Sequence, residues 1–238
     1  MPEASPQVSV VVPLYNEEDN VPELQQQLIL AMQPFDYELI FVDDGSSDAT
    51  AARVVRGPRV RLLRFPKNSG QSAAMYAGIM EARGATIAML DGDLQNDPAD
   101  IPALVRKLDE GFDFVCGYRA KRKDTAFKRM QSRIANAVRS RFIGDGVRDT
   151  GCSLKAMRKE CRGALLPFNG MHRFIPALIR HAGHRITEVP VNHRPRIHGV
   201  SKYTFWNRAL RATKDMFGVS WLLSRKVRVH YAEDREAR

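Results

Sequence analysis

The sequence predicts an α/β fold, a mostly parallel sheet with helices on both faces, followed by a C-terminal amphipathic helical appendage. Three observations predict it. β-Branched runs alternate with segments of helical period through the first half, the runs end on acidic or polar clusters, and a long aromatic and basic periodic stretch stands near the C-terminus.

Taken in order, Val8 to Val12 is a β-branched run halted at Pro13, after which Leu24, Leu28 and Met32 recur at helical spacing. The pattern then repeats. A strand is predicted over Glu38 to Val42, a turn at Asp44-Gly45-Ser46-Ser47, a short helix from Ala49, a strand over Val60 to Arg64 and a helix from about Gln71 to Ala82. A strand over Thr86 to Leu90 ends on an acidic cluster, a helix follows near Ile101 to Leu108, and the next strand runs from Phe112 to Tyr118. Ligands of such sheets bind beyond the C-terminal strand ends, and Tyr15, Asp43, Asp44, Asp91 and Asp93 are all placed there.

After Tyr118 the character changes. Residues 119–141 hold nine Lys/Arg against the single acid Asp124, with Ile134, Val138 and Phe142 at helical spacing. A strand is predicted over Ser153 to Met157, helices near Lys159 to Leu166 and Phe174 to His181, and a strand over Ile186 to Val191. A basic loop, Arg194 to Lys202, precedes a helix from Phe205 to Leu223. Along it Trp206, Ala209, Leu210, Thr213, Met216, Phe217, Ser220 and Trp221 recur at three- and four-residue steps.

Composition narrows the classes. At 44% hydrophobic and 27% charged the chain is ordinary globular material, which excludes disordered and fibrous proteins. The net charge of +10 is unevenly held: residues 1–118 carry 9 Lys/Arg against 18 Asp/Glu, and the rest carry 28 against 9. A uniformly basic nucleic-acid coat does not fit; an acidic half facing a basic half fits a site where metal, phosphate and membrane meet. No secretory signal is expected. The apolar runs at Val8 to Tyr15 and Phe217 to Leu223 fall far short of the roughly 20 residues of a spanning helix. Cys116, Cys152 and Cys161 lack CxxC spacing and read as buried thiols of a reduced, cytosolic compartment.

The chemistry-bearing residues cluster at the strand ends. Asp91-Gly92-Asp93-Leu94-Gln95 closes a strand with two carboxylates around one glycine, suited to a hard divalent cation such as Mg²⁺ or Mn²⁺ with a diphosphate as its partner. A lone motif of this kind reads more readily as a solvated acidic turn, and its place among the other strand-end clusters reverses that preference. Asp43 and Asp44 follow an apolar strand directly and can hydrogen-bond a base or ribose; Asp48 or Ser47 reads as a cap of the next helix. In Pro13-Leu14-Tyr15-Asn16-Glu17, Tyr15 can flank a base and Glu17 can accept from it, while Asn16 reads as a helix cap. The six histidines show no metal-ligand spacing.

Together these stretches resemble a family 2 glycosyltransferase with the GT-A (Rossmann-like) fold, in the group of dolichol-phosphate mannose synthases and polyprenyl-phosphate glycosyltransferases. The resemblance rests on Val11-Val12-Pro13-Leu14-Tyr15-Asn16-Glu17-Glu18, Val42-Asp43-Asp44-Gly45-Ser46, Asn68-Ser69-Gly70-Gln71 and Asp91 through Pro98. It continues through Gly117-Tyr118-Arg119, Arg148 through Leu154, and Arg194 through Tyr203, and so covers nearly all of residues 8–215.

The resemblance implies a catalytic domain over residues 1–203 and a helix with a basic tail over 204–238. It implies that Pro13, Tyr15, Glu17, Val42 and Asp44 bind base and ribose, that Asp91, Gly92 and Asp93 belong to the nucleotide-sugar site, and that Asp91 and Asp93 bind sugar and metal, with Gln95 assisting Asp93 on the metal. Arg119, Arg133, Arg196 and Lys202 would hold diphosphate or acceptor phosphate, and Asp149 would line the acceptor side, with Asp91, Asp93 and Asp149 the catalytic carboxylates. The expected reaction is inverting transfer from a UDP- or GDP-sugar to dolichyl or undecaprenyl phosphate. Its alternatives are a soluble or polysaccharide acceptor and, more remotely, a basic nucleic-acid-binding module; the favoured reading has no nucleic-acid partner. Many bacterial relatives carry two transmembrane helices after this domain, whereas here a polar tail follows Arg225. The expectation is therefore a peripheral enzyme on the inner face of the cytoplasmic membrane, with Trp206, Phe217 and Trp221 in the interface. A membrane protein, the chain's own body or a second subunit is the alternative cover for that helix.

Overall fold

A computed structural model describes residues 5–120, 142–195 and 205–225, with side chains of the last stretch described from Thr213 onward. The predicted Arg133, Arg196 and Lys202, the His198 loop and the side chain of Trp206 lie outside the described residues. Seven strands form one sheet: β1 (Val8–Leu14), β2 (Tyr37–Asp43), β3 (Val60–Arg64), β4 (Thr86–Met89), β5 (Phe114–Arg119), β6 (Lys155–Arg158) and β7 (Ile186–Val191). Their spatial order is β3-β2-β1-β4-β6-β5-β7. All pair in parallel except β6, which runs antiparallel to both β4 and β5. Its direction follows from where its chain enters. β5 ends at Arg119 on the same edge where Asp149 to Ser153 lie, so β6 starts from that edge and must run back across the sheet.

β1 and β2 are buried along their whole length because helices cover both faces, which is why they read as largely apolar runs, with the buried Ser9 hydroxyl donating to Glu38 Oε1 at 2.7 Å. On one face lie α1 (Val21–Met32) and α4 (Ile101–Asp109), each with proline in its first turn, where the missing N–H is no loss. They bury Leu24, Leu28, Leu104 and Leu108 against Val10, Val12 and Leu39. On the other face α3 (Gln71–Glu81) and α5 (Ile175–His181) bury Met75, Ile79 and Ile179 with Val11, Ile40, Met89 and Phe114. Phe114 is fully buried, and its truncation to alanine would cost about 3–5 kcal/mol.

The structure departs from the predicted elements in three places, of which one is β6, which spans Lys155–Arg158 where Ser153 to Met157 is predicted. Lys159–Ala164 is a 3₁₀ run and not an α-helix, since Leu165 turns extended and Leu166 precedes Pro167, which disfavours helical backbone there. β5 starts at Phe114, because the Phe112 ring lies between the Lys107 and Arg185 cations at 5.5 and 5.3 Å and outside the ladder. The helix predicted from Ala49 is a single turn, α2 (Thr50–Arg53).

The last helix, α6 (Phe205–Ser224), docks on the body through one face. Asp215 pairs with Arg173 at 2.7 Å, Val219 is buried with Ile143, Phe174 and Ala177, and the Ser220 hydroxyl donates to the Phe142 carbonyl. Phe217 and Trp221 are left 55% and 63% exposed beside the half-exposed Phe142, whose ring meets Phe217 edge-on at 5.6 Å. Among the described residues no helix is long and apolar enough to cross a membrane.

Candidate active site

The edge formed by the C-terminal ends of β1, β2, β4 and β5 and by the start of β6 gathers the predicted residues. β1 and β2 open into loops that are zipped together. The Asn16 N–H donates to Ser46 Oγ, the Ser47 N–H to Asn16 Oδ1, the Glu17 N–H to Thr50 Oγ1, and the Ala49 N–H to Glu18 Oε2. Asn16 therefore does not cap α1, whose cap position is Asn20; it takes a left-handed φ of 52° and ties two loops. Asp48 accepts from the Thr50 N–H and hydroxyl, an Asx turn before α2. Burial would raise its pKa, but these bonds, with one from the Glu18 N–H, prevail and hold it low.

Asp43 and Asp44 are nearly fully buried. Asp43 accepts from the Ser46 N–H at 3.1 Å. Asp44 faces the next loop, accepting from the Ser69 N–H at 2.7 Å, the Gly70 N–H at 2.9 Å and Asn68 Nδ2 at 3.0 Å. Gly45 lets that loop close in: a Cβ on it would stand 2.4 Å from the Lys67 carbonyl carbon, and its φ is +67°. The loop leads into Gln71, which donates to Asp91 Oδ1 at 2.7 Å. So Asp44 reaches the acidic corner through a chain of three residues. Val42 is wholly buried with its side chain against Gly78, and Pro13 is buried in β1; Tyr15 and Glu17 lie half-buried just past that strand, where Glu17 also accepts from Asn20 Nδ2.

Asp91 and Asp93 lie just beyond β4. The Asp91 N–H donates to Ser153 Oγ at 3.3 Å, and Ser153 Oγ accepts from Asn96 Nδ2 at 2.6 Å. Asp93 Oδ1 accepts from the Gln95 N–H at 3.2 Å, while Leu94 takes a left-handed φ of 59°. Gly92 serves a close approach: a Cβ there would come within 2.6 Å of Leu14 Cδ2 and 3.2 Å of the Pro13 carbonyl, which presses the acidic turn onto the end of β1. Dense packing around Asp91 raises its pKa, and the neighbouring Asp93 charge adds to the rise; Ser153, Lys155 and Gln71 pull the other way. Two hard oxygen donors that repel each other in a desolvated corner are a donor set that fits Mg²⁺ or Mn²⁺, whose charge would relieve both effects.

Arg119, at the end of β5, forms a two-pronged pair with Asp149: Nε to Oδ2 at 2.7 Å and Nη2 to Oδ1 at 2.8 Å, with the Arg119 N–H also on Oδ2 at 3.2 Å. Both side chains are mostly buried, at 15% and 12% exposure. Arg148 next to it covers the Tyr118 ring at 4.4 Å and pairs with Glu188. The three thiols are buried, and burial pushes the pKa of each up, that of Cys161 to about 12, which disfavours the reactive thiolate.

Sequence reasoning missed Gln71, Ser153 and Lys155. Lys155 is 3% exposed in β6, and its ammonium donates to the Cys152 carbonyl below the site. A lysine set between Leu154 and Ala156 in a short strand was the available signal.

The profile described as Glycosyl transferase family 2 matches residues 9–163. The chain belongs to this glycosyltransferase family. Among relatives of this family 2 glycosyltransferase, the dodecaprenyl-phosphate galacturonate synthase of Rhizobium johnstonii is 41% identical over 95% of this chain and 70% of its own length. The undecaprenyl-phosphate 4-deoxy-4-formamido-L-arabinose transferase of Pseudomonas fluorescens is 41% identical over 83% of this chain, which spans 60% of that protein. The fold matches glucosyl-3-phosphoglycerate synthase of Mycobacterium tuberculosis in complex with Mn²⁺, UDP and glucosyl-3-phosphoglycerate. The TM-score is 0.67 at 19% identity, covering 94% of this chain and 81% of that one. That likeness establishes the GT-A arrangement of the family 2 sheet.

Proposed function

We propose that the chain transfers a glycosyl group, with inversion, from a nucleotide diphosphate sugar to a polyprenyl phosphate at the cytoplasmic face of a membrane. The observation that carries this reading is the convergence, on one sheet edge, of the Asp91–Asp93 corner and the Arg119–Asp149 clamp. The names of the relatives, both polyprenyl-phosphate sugar transferases, support the acceptor class. The Mn²⁺ and UDP held by the fold neighbour support the donor class.

Asp93 and Asp91, with Gln95, are the residues that would hold Mg²⁺ or Mn²⁺, which would neutralise the diphosphate as it departs. Tyr15 and Glu17, just past β1, are the residues that would meet base and ribose, and the hydrogen bonds that zip the β1 and β2 loops fix where they stand. Asp149 holds the Arg119 guanidinium in one plane at the end of β5, where it would face the departing diphosphate. A phosphate oxygen of the acceptor attacks the anomeric carbon from the side opposite the diphosphate. The new C–O bond forms as the old one breaks, and the electron pair leaves with the nucleoside diphosphate. The acceptor is anionic at neutral pH, so no general base has to ionise it. The product is β-linked where the donor is α-linked.

A panel of UDP- and GDP-sugars with undecaprenyl and dolichyl phosphate, with and without Mn²⁺, tests this reading. Transfer to a lipid phosphate is the expected result; incorporation only into a soluble acceptor overturns it. Docking to the membrane is proposed through the exposed Phe142, Phe217 and Trp221. Paired substitution of Phe217→Ser and Trp221→Ser is expected to lower flotation with anionic vesicles at least fivefold at unchanged melting temperature. Equal flotation of variant and wild type ends the membrane role of this patch.

A further inference from the structure

The chain leaving β7 lies along the acidic turn. Asn96 and His193 form an antiparallel bridge, and the Arg194 N–H donates to the Gln95 carbonyl at 2.8 Å. The Arg194 guanidinium spans two partners, Asp97 Oδ2 at 2.7 Å and Gln27 Oε1 of α1 at 2.8 Å. One step earlier, Asn192 donates from its backbone to Asp100 Oδ2 at 2.7 Å and from its side chain to Oδ1 at 3.1 Å. A three-residue strap from the edge strand thus stitches Gln95 to Asp100 and fastens the same segment to α1.

The turn that it fastens holds strain. Leu94 is 1% exposed and takes a left-handed backbone, a conformation that costs a non-glycine residue about 1–2 kcal/mol and persists only where surroundings over-determine it. On its N-terminal side the turn is set by Gly92 against β1 and by Asp93 accepting from the Gln95 N–H. On its C-terminal side the strap supplies the restraint, together with Asn96 on Ser153. Gln95 is bonded at both of its backbone groups, the N–H by Asp93 and the carbonyl by Arg194.

We propose that Arg194 is a positioning residue for the donor corner: by holding Asp97 and Gln95 against α1 it keeps the Asp93–Gln95 turn in its binding conformation. This role rests on the reading of Asp91 and Asp93 as the metal and diphosphate corner. It couples that corner to the segment from which the basic Arg194 to Lys202 stretch begins, so donor affinity depends on a residue well outside the acidic motif.

Mn²⁺ titration by electron paramagnetic resonance, in the presence of UDP and separately of GDP, tests it alongside amide hydrogen exchange. For Arg194→Ala the Mn²⁺ dissociation constant is expected to rise at least tenfold, and exchange at Gln95 to Asp97 to quicken at least tenfold with β1 amides unchanged. Arg194→Lys and Asp97→Asn are expected to fall between Arg194→Ala and wild type, and they carry the test if the alanine variant does not fold. Faster exchange with undiminished Mn²⁺ affinity overturns the role of Arg194 alone. Wild-type protein that takes up no Mn²⁺ with either nucleotide overturns the reading of the corner itself, and this role with it.

Discussion

Asp93→Asn is expected to lower glycosyl transfer by about 10²–10³-fold at saturating donor, the loss typical of removing one group aimed at charge that develops in the transition state. The change is nearly isosteric, and the amide oxygen can still accept from the Gln95 N–H, so the turn keeps its shape. What it loses is negative charge. Asp91→Asn is expected to lower transfer comparably, with an opposite effect on stability. Burial, reinforced by the Asp93 charge, raises the pKa of Asp91 in the folded protein. The folded state therefore holds that proton more tightly than the unfolded chain does. This contribution is fully present below the unfolded value near 3.9 and is lost as pH rises through the higher folded value. At pH 7 without a divalent ion the raised pKa of Asp91 costs the fold stability that it keeps at low pH, and Asp91→Asn, which keeps an acceptor for Gln71, should melt higher than wild type. The gain should vanish near pH 4, and added Mn²⁺ should narrow it by stabilising wild type alone. Thermal melts from pH 4 to 8 with EDTA or Mn²⁺, beside rate measurements, check both halves. Near wild-type turnover in Asp93→Asn would sink the metal assignment.

The parallel sheet was legible because strands covered on both faces are predominantly apolar, as Leu39 to Val42 is throughout and Val8 to Val12 is apart from Ser9. The acidic corner was legible because ligand chemistry at strand ends stands out against those runs. What escaped was whatever depends on which distant residue arrives. Ser153 meets the Asp91 N–H across 62 positions, and Gln71 meets its carboxylate across 20; both stand in stretches that carry the family resemblance, but nothing in those stretches says which distant atom each one meets. Asn16 sits where a capping residue is expected, yet its amide serves a loop 31 residues away, because the β1 and β2 loops lie side by side. The antiparallel β6 was equally hidden, since a four-residue strand has the same alternation in either direction. The interfacial reading of the last helix divides by face: Val219 belongs to the body, while Phe217 and Trp221 remain outward.

Asp149→Ala is expected to be the most destabilising single change at the site. It leaves the mostly buried Arg119 guanidinium without the carboxylate that takes two of its N–H groups and its backbone N–H. Breaking a buried pair by removing one partner costs about 3–5 kcal/mol, and residual solvent access at this pair puts the expectation at the lower end. For a chain of this size that corresponds to a fall in melting temperature of about 6–12 °C. Arg119→Leu combined with Asp149→Leu removes both charges and should recover much of the loss, since a paired charge in a desolvated place contributes little net stability over apolar packing. Activity should not recover. If the pair only held β5 to the Asp149–Ser153 turn, the double variant would regain turnover along with its melting temperature, and the role of Arg119 toward the diphosphate would fall. If it presents Arg119 to the diphosphate, the double variant melts near wild type yet transfers sugar at least about 10²-fold more slowly. Melting temperature and turnover, measured on the two single variants and the double, separate the clamp as scaffold from the clamp as machinery.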